Sequence, residues 1–342
     1  MPTLAGKEIT GKGFGLMRSP LLSSYEPRYT IPGSLVPDNI AFPVFKAALS
    51  HGANIWSGAD YYGTPEANTL HLLNRYFTAY PADADKVILT IKGGVINAST
   101  MDCSPEGMRR CVDNCNRILD GKKKIDFFGP ARVDPNTPIE STVGGLSELV
   151  EEGKIGGILL SESSTATIKR ADKIHHVSLV EAEVSLWATD ILHNGVAETC
   201  KELDIVVLAH TPLGRGMLAG NFDNHEDVAH QANREFYSMF PRFQGENFEQ
   251  NLKLVRELQK LAQKKGCTNA QFALAWLRSV SGKAGMPVIV PLAGARSEAR
   301  VKENCEDVTL SDSEAKEIDG ILESFPVAGA RYPAVAATLL EY

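Results

Sequence analysis

The sequence predicts a single closed (β/α)8 barrel. Apolar runs of strand length alternate with helix-like segments almost throughout the 342 residues. The strand runs are continuously apolar, as parallel strands covered on both faces are. Eight such runs, with no Gly/Pro-rich linker between them, favour one closed barrel over an open doubly wound sheet or two domains.

The elements follow in order. TLAGKEIT (3–10) is expected to form a hairpin that plugs the barrel floor. GKGFG (11–15) is half of a dinucleotide fingerprint, without the final spacing or the flanking strand and helix. It reads as a turn entering a first strand before Met17. IAFPVFKAALSHG (40–52) is helical and ends in Gly52 as at a C-cap. ANIWS (53–57) and KVILTIKGG (86–94) are strands. The helix over 104–119 opens with Ser104 as cap, Pro105 in the first turn and Glu106 on the dipole. KIDFFGPARV (124–133) is a strand, and 137–154 repeats the Thr-Pro-x-Glu helix start. Strands at 155–161, 177–183 and 205–212 then alternate with helices at 164–174 and 195–204. After a polar stretch, 221–248, come helices over 251–266 and 268–280. The last strand is 286–294, followed by helices over 296–305 and 312–322.

Composition narrows the function classes. The chain is 43% hydrophobic and 23% charged, with a net charge of −7. That balance argues against a nucleic-acid or anionic-membrane surface. No apolar run reaches the ~20 residues of a membrane span, and the start lacks a signal-peptide pattern. Six cysteines form no CxxC pair, and eight histidines form no HExxH. Reduced thiols, no metal site and a cytoplasmic location are expected.

In a barrel, chemistry sits where strands end and loops begin. The expected strand ends are Met17, Ser57, Lys92, Ala131, Ser161, Glu181, His210 and the run 291–294. Lys92 closes an apolar strand, either as a solvated end or as a partly desolvated ammonium facing the mouth. Tyr62 follows its strand at a distance that can return its hydroxyl over the mouth, or it packs as a loop aromatic. GARSEARVKEN (294–304) opens a helix with Arg296, Ser297 and Arg300 gathered at its N-terminus, where an anion is favoured.

Together, NIWSGADYYG (54–63), LTIKGG, ARVDPNTPIE, LVEAEVSLWATDI, AHTPLGRGMLAG, FPRFQGENFEQNL, PLAGARSEARVKEN and VAGARYP resemble the aldo-keto reductases over nearly the full length. The variants at 54–63 and 126–135 look most like the fungal pyridoxal reductase branch. The resemblance implies a C-terminal tail over the barrel mouth and NADP(H) across the strand ends. It also implies a site of Asp, Tyr, Lys and His. Tyr62 and Lys92 match the tyrosine and lysine; Ser57 stands at the aspartate position and Ala131 at the histidine position. Ser57 brings no charge, which leaves Lys92 without the family's counter-ion.

By the same resemblance, Met17, Thr211 and Leu213 belong to the cofactor groove. Ser161 and Glu181 match the residues that hold the nicotinamide carboxamide, and His210 takes the place of a stacking aromatic. Arg296, Ser297 and Arg300 match the 2′-phosphate clamp, with Glu303 and Asn304 at the adenine. Trp56 and Ala131 are expected in the substrate pocket, and the 221–248 loop around it. The implied activity is reduction of pyridoxal or a similar aromatic aldehyde to the alcohol, with Tyr62 as proton donor. A catalytically weak NADPH-binding sensor or partner subunit, and a reductase of a specialised fungal metabolite, are the alternatives. The expected partner is a small aldehyde or alcohol, and the expected state a monomer or weak oligomer.

Overall fold

The computed structural model describes residues 3–17, 37–97, 100–230, 237–337 and 339–341. Eight parallel strands close into a TIM barrel in sequential order. They are β1 (Gly13–Gly15), β2 (Ile55–Ala59), β3 (Ile88–Gly93), β4 (Phe127–Pro130), β5 (Ile158–Ser161), β6 (Val177–Glu183), β7 (Val206–His210) and β8 (Ile289–Ala293). The first strand thus lies inside GKGFG, with the turn confined to its start at Gly11, where φ is +75°.

Helices α1 (Asp38–Ser50), α2 (Thr69–Ala79), α3 (Pro105–Leu119), α4 (Ile139–Glu151), α5 (Thr165–Asp172) and α6 (Val196–Glu202) follow the first strands in turn. α7 (Gly245–Lys265) and α8 (Asn269–Val280) lie between β7 and β8. α9 (Glu298–Cys305) and α10 (Asp312–Ser324) follow β8. Of the predicted 221–248 loop, residues 231–236 lie outside the described residues.

Helix α2 is absent from the sequence reading. Asn68 caps it, accepting from the backbone N–H of Leu70 and His71, and Leu70, Leu73, Tyr76 and Phe77 bury one face.

Strand parity sorts the side chains into two cores. Ile55, Ile88, Phe127, Leu159, Leu179, Val206, Leu208, Val290 and Leu292 fill the barrel lumen together with Leu4 and Ile9. Their neighbours Trp56, Leu89, Ile91, Phe128, Leu160, Val180 and Val207 face the helices in the outer core. The hairpin of Thr3–Leu4 and Lys7–Glu8 plugs the floor as predicted. Lys7 Nζ donates to Val87 O at 2.8 Å and to Asp126 Oδ1 at 3.3 Å, both just before their strands. Gly129 is required where β4 meets β5. A Cβ there would lie 1.7 Å from the Leu159 carbonyl oxygen.

The same parity corrects one expectation. Ser57 faces inward, so Trp56 faces outward. Its indole is fully buried among Phe14, Phe45, Tyr76 and Phe77 and donates to Ala53 O at 2.9 Å. Trp56 supports the wall behind the site and lines no substrate pocket.

Candidate active site

Continuing each inward row towards the strand C-termini replaces apolar side chains with polar ones. Ile55 gives way to Ser57, Ile88 to Lys92, Leu159 to Ser161, Leu179 to Glu181 and Glu183, and Leu208 to His210. The mouth therefore carries a charged layer resting on the lumen core.

Lys92 is the centre of that layer. Its Nζ donates to both Glu181 carboxylate oxygens, at 2.7 and 2.8 Å, and to Ser57 Oγ at 2.9 Å. Ser57 in turn donates to Glu181 Oε2 at 2.7 Å. The lysine and glutamate side chains are only 3% and 5% exposed. The expectation that Lys92 lacks a counter-ion is therefore overturned. The charge missing at position 57 comes from Glu181 on β6, with Ser57 bridging both partners. Burial raises the Glu181 pKa, but Lys92, His210 and Ser57 outweigh it and hold the carboxyl below its ordinary value.

Tyr62 lies on the loop after β2, and its ring centroid is 5.8 Å from Lys92 Nζ. Its backbone N–H donates to Ala59 O at 3.4 Å, and its carbonyl accepts from Thr69 N at 2.9 Å, which ties the loop to α2. Tyr61 meets it edge to face at 5.0 Å. Ala131 is buried just past β4 and donates its N–H to Gly93 O at 2.9 Å.

A second charged cluster completes the mouth. His210 Nε2 is 2.6 Å from Glu162 Oε1, and its Nδ1 is 3.0 Å from Thr211 Oγ1. Glu162 follows β5 with φ +53° and is completely buried. Burial opposes its charge, but His210, Arg132 and Arg331 hold its pKa far below the usual carboxylate range. Arg331, from the C-terminal tail, donates to Glu162 Oε2 at 3.0 Å and lies 3.6 Å from Glu183 Oε2. Arg215 donates to Glu183 Oε1 at 3.0 Å. Beyond Arg331, Glu341 accepts from Ser164 N at 2.7 Å and Thr167 Oγ1 at 2.8 Å. The tail thus straps across the mouth, as expected.

Arg132 stands beside Ala131. Its Nη1 donates to Ala131 O at 2.6 Å and Ser161 Oγ at 3.3 Å, and Nη2 to Tyr332 Oη at 3.4 Å. Burial works against its charge, but Tyr332, Glu162, Tyr61 and Tyr62 outweigh it and raise its pKa.

The remaining predicted positions lie in the segments after β1, β7 and β8. Met17 follows β1, half-buried, while Thr211 and Leu213 follow β7. Past β8, Ser297 caps α9 by accepting from Arg300 N at 3.3 Å. Arg296 and Arg300 are exposed there. Arg300 also pairs with Glu303 at 2.5 Å, and Asn304 Nδ2 donates to Gly294 O at 3.4 Å. Two exposed guanidinia at a capped helix N-terminus form a donor set suited to a phosphate monoester. Ser161 can donate to an amide oxygen and Glu181 can accept from an amide nitrogen, so the other end suits a carboxamide.

Sequence reading missed Glu162, Arg132, Arg215 and Arg331 as members of the site. Among the described residues, no group of three or more His, Cys, Asp or Glu side chains could hold a metal ion. No described helix is long and apolar enough to cross a membrane. The six cysteines are free thiols.

Comparison with known proteins adds four findings. The model of the aldo/keto reductase family matches residues 29–323. The chain is 34% identical to "Probable pyridoxal reductase 2" of Schizosaccharomyces pombe, over 97% of each chain. It is also 34% identical to "Probable aldo-keto reductase 1" of Glycine max, over 96% of this chain and 89% of that protein. Among solved structures, the glycerol dehydrogenase of Gluconobacter oxydans superimposes with a TM-score of 0.76 at 23% identity, covering 94% of each chain. That last likeness concerns the fold.

Proposed function

The chain belongs to the aldo/keto reductase family, and from that premise we propose that it reduces an aromatic aldehyde such as pyridoxal, using NADPH. The observation that carries this reading is the buried Lys92 ammonium, fixed between Glu181 and Ser57 and 5.8 Å from the Tyr62 ring centroid. The similarity to a relative named as a pyridoxal reductase supports the substrate class.

Arg296, Ser297 and Arg300 would hold the 2′-phosphate, Glu303 and Asn304 the adenine, and Met17, Thr211 and Leu213 the groove between. Ser161 and Glu181 would meet the carboxamide, and His210 would lie under the ring. When bound, the cofactor supplies the hydride; the protein supplies position and the proton.

Tyr62 holds that proton for the carbonyl oxygen. A free phenol, with a pKa of ~10, is a poor acid at neutral pH. The neighbouring ammonium stabilises the phenolate left after transfer. Glu181 gives the buried Lys92 side chain a carboxylate partner, and with Ser57 it fixes Nζ in place. Ala131 leaves open the space that an imidazole takes in other members, which suits a substrate with a polar group beside its aldehyde.

The test is steady-state oxidation of NADPH and NADH with an aldehyde panel that includes pyridoxal. Turnover of pyridoxal with a preference for NADPH is expected. No turnover of any aldehyde, despite tight NADPH binding, would leave only the binding-module reading.

A further inference from the structure

We propose that Arg132 reads the substrate, binding an anionic oxygen carried next to the aldehyde. This rests on the reductase reading above and goes beyond it by naming the recognised group and its receptor.

The argument begins with charge pairing at the mouth. Lys92 is matched by Glu181, Arg331 by Glu162, and Arg215 by Glu183. Arg242 gives its donors to the carbonyl oxygens of Gly329 and Trp187. Arg132 has no carboxylate within 4.0 Å among the described residues. Its hydrogen bonds to Ser161 and Tyr332 are 3.3 and 3.4 Å long. A guanidinium carries five N–H donors in a fixed fork matched to anionic oxygens. Glu162 acts on the Arg132 guanidinium only from beyond ion-pair distance, which leaves its fork free to meet an anionic oxygen directly.

Position supplies the rest. β4 lies between β3, which carries Lys92, and β5, which carries Ser161. In the register, Gly129 pairs with Lys92 and Pro130 with Gly93, so Arg132 emerges two residues beyond Pro130 on the adjacent strand. Neighbouring strands are about 4.8 Å apart, so one small molecule can span both. The carbonyl oxygen belongs at Tyr62, and Ala131 clears the floor between. An anionic oxygen on the neighbouring ring carbon then falls towards Arg132. The Tyr332 ring, 5.6 Å from the Arg132 guanidinium, closes the far side.

The experiment compares 2-hydroxybenzaldehyde, 2-formylbenzoate and 2-methoxybenzaldehyde in wild type, R132Q and R132K. The first carries a phenol that can ionise against the guanidinium and the second a carboxylate; the third can do neither. Wild type should favour at least one anionic aldehyde over the methoxy compound by about 10- to 100-fold in kcat/KM, the scale of a charge-assisted hydrogen bond. R132Q should bring that ratio near one, and R132K should retain part of it, which also guards against a folding failure. A ratio near one in wild type, or an unchanged ratio in R132Q, overturns the proposal. So does a loss of NADPH affinity in R132Q with the aldehyde ratio intact, which would assign the guanidinium to the cofactor. If no aldehyde is turned over, the reductase reading fails, while calorimetric titration with 2-hydroxybenzoate still decides the receptor. Binding at least tenfold tighter in wild type than in R132Q supports it, and equal binding overturns it.

Discussion

Moving the buried carboxylate tests the relocation of charge from position 57 to position 181. E181Q keeps the shape and an acceptor oxygen but removes the charge that faces Lys92 at 2.7 and 2.8 Å. Both partners are almost fully buried, and stripping one partner from a buried pair typically costs about 3–5 kcal/mol. S57D alone should also destabilise, because Ser57 Oγ lies 2.7 Å from Glu181 Oε2 and two carboxylates would then crowd together. In the double variant S57D/E181Q, a carboxylate at 57 replaces the lost charge, since Ser57 Oγ is already 2.9 Å from Lys92 Nζ. Each single change should therefore lower stability, and the pair should recover about 2 kcal/mol or more over E181Q. Urea denaturation of the four proteins gives the cycle, and NADPH oxidation gives its catalytic counterpart. Additive losses, with the double variant weaker than either single one, would refute the reasoning.

Two further outcomes follow from separate features. Burial pushes the Asp60 carboxyl up to about 6 from 3.8. A carboxyl raised in the folded state favours folding when protonated, so its contribution fades as pH rises from about 4 through 6. D60N removes that loss and should gain up to about 3 kcal/mol over wild type at pH 7, with the advantage vanishing near pH 4; equal pH–stability curves in urea would count against the burial argument. R296A/R300A should raise the KM for NADPH by about 10- to 100-fold and leave that for NADH nearly unchanged. An equal rise for both cofactors would move the 2′-phosphate elsewhere.

Much of this architecture was legible in the sequence because period and punctuation are local. Continuous apolar runs marked seven strands near their observed positions, and Ser104-Pro105-Glu106 marked the start of α3 within a residue. Helix α2 escaped because NTLHLLNRYF opens with no Pro or acidic first turn, although Asn68 is a good cap. Trp56 is placed by strand alternation alone, since a residue next to inward Ser57 must face outward. The Lys92–Glu181 pair is a different problem. Its members are 89 residues apart and meet across the lumen, which only barrel register determines. A signal was nonetheless present: an inward lysine with no acid at 57 requires a carboxylate on another inward row, and β6 offers Glu181 and Glu183 on one. Arg132 is hidden by its neighbour, because Ala131 at the histidine position is the stronger departure from the family pattern.

The central claim is that Tyr62 delivers the proton beside Lys92. Single-turnover NADPH oxidation with pyridoxal, wild type against Y62F, tests it most directly. The account predicts a fall of about 100-fold or more in Y62F with NADPH still bound; oxidation at the wild-type rate would contradict it.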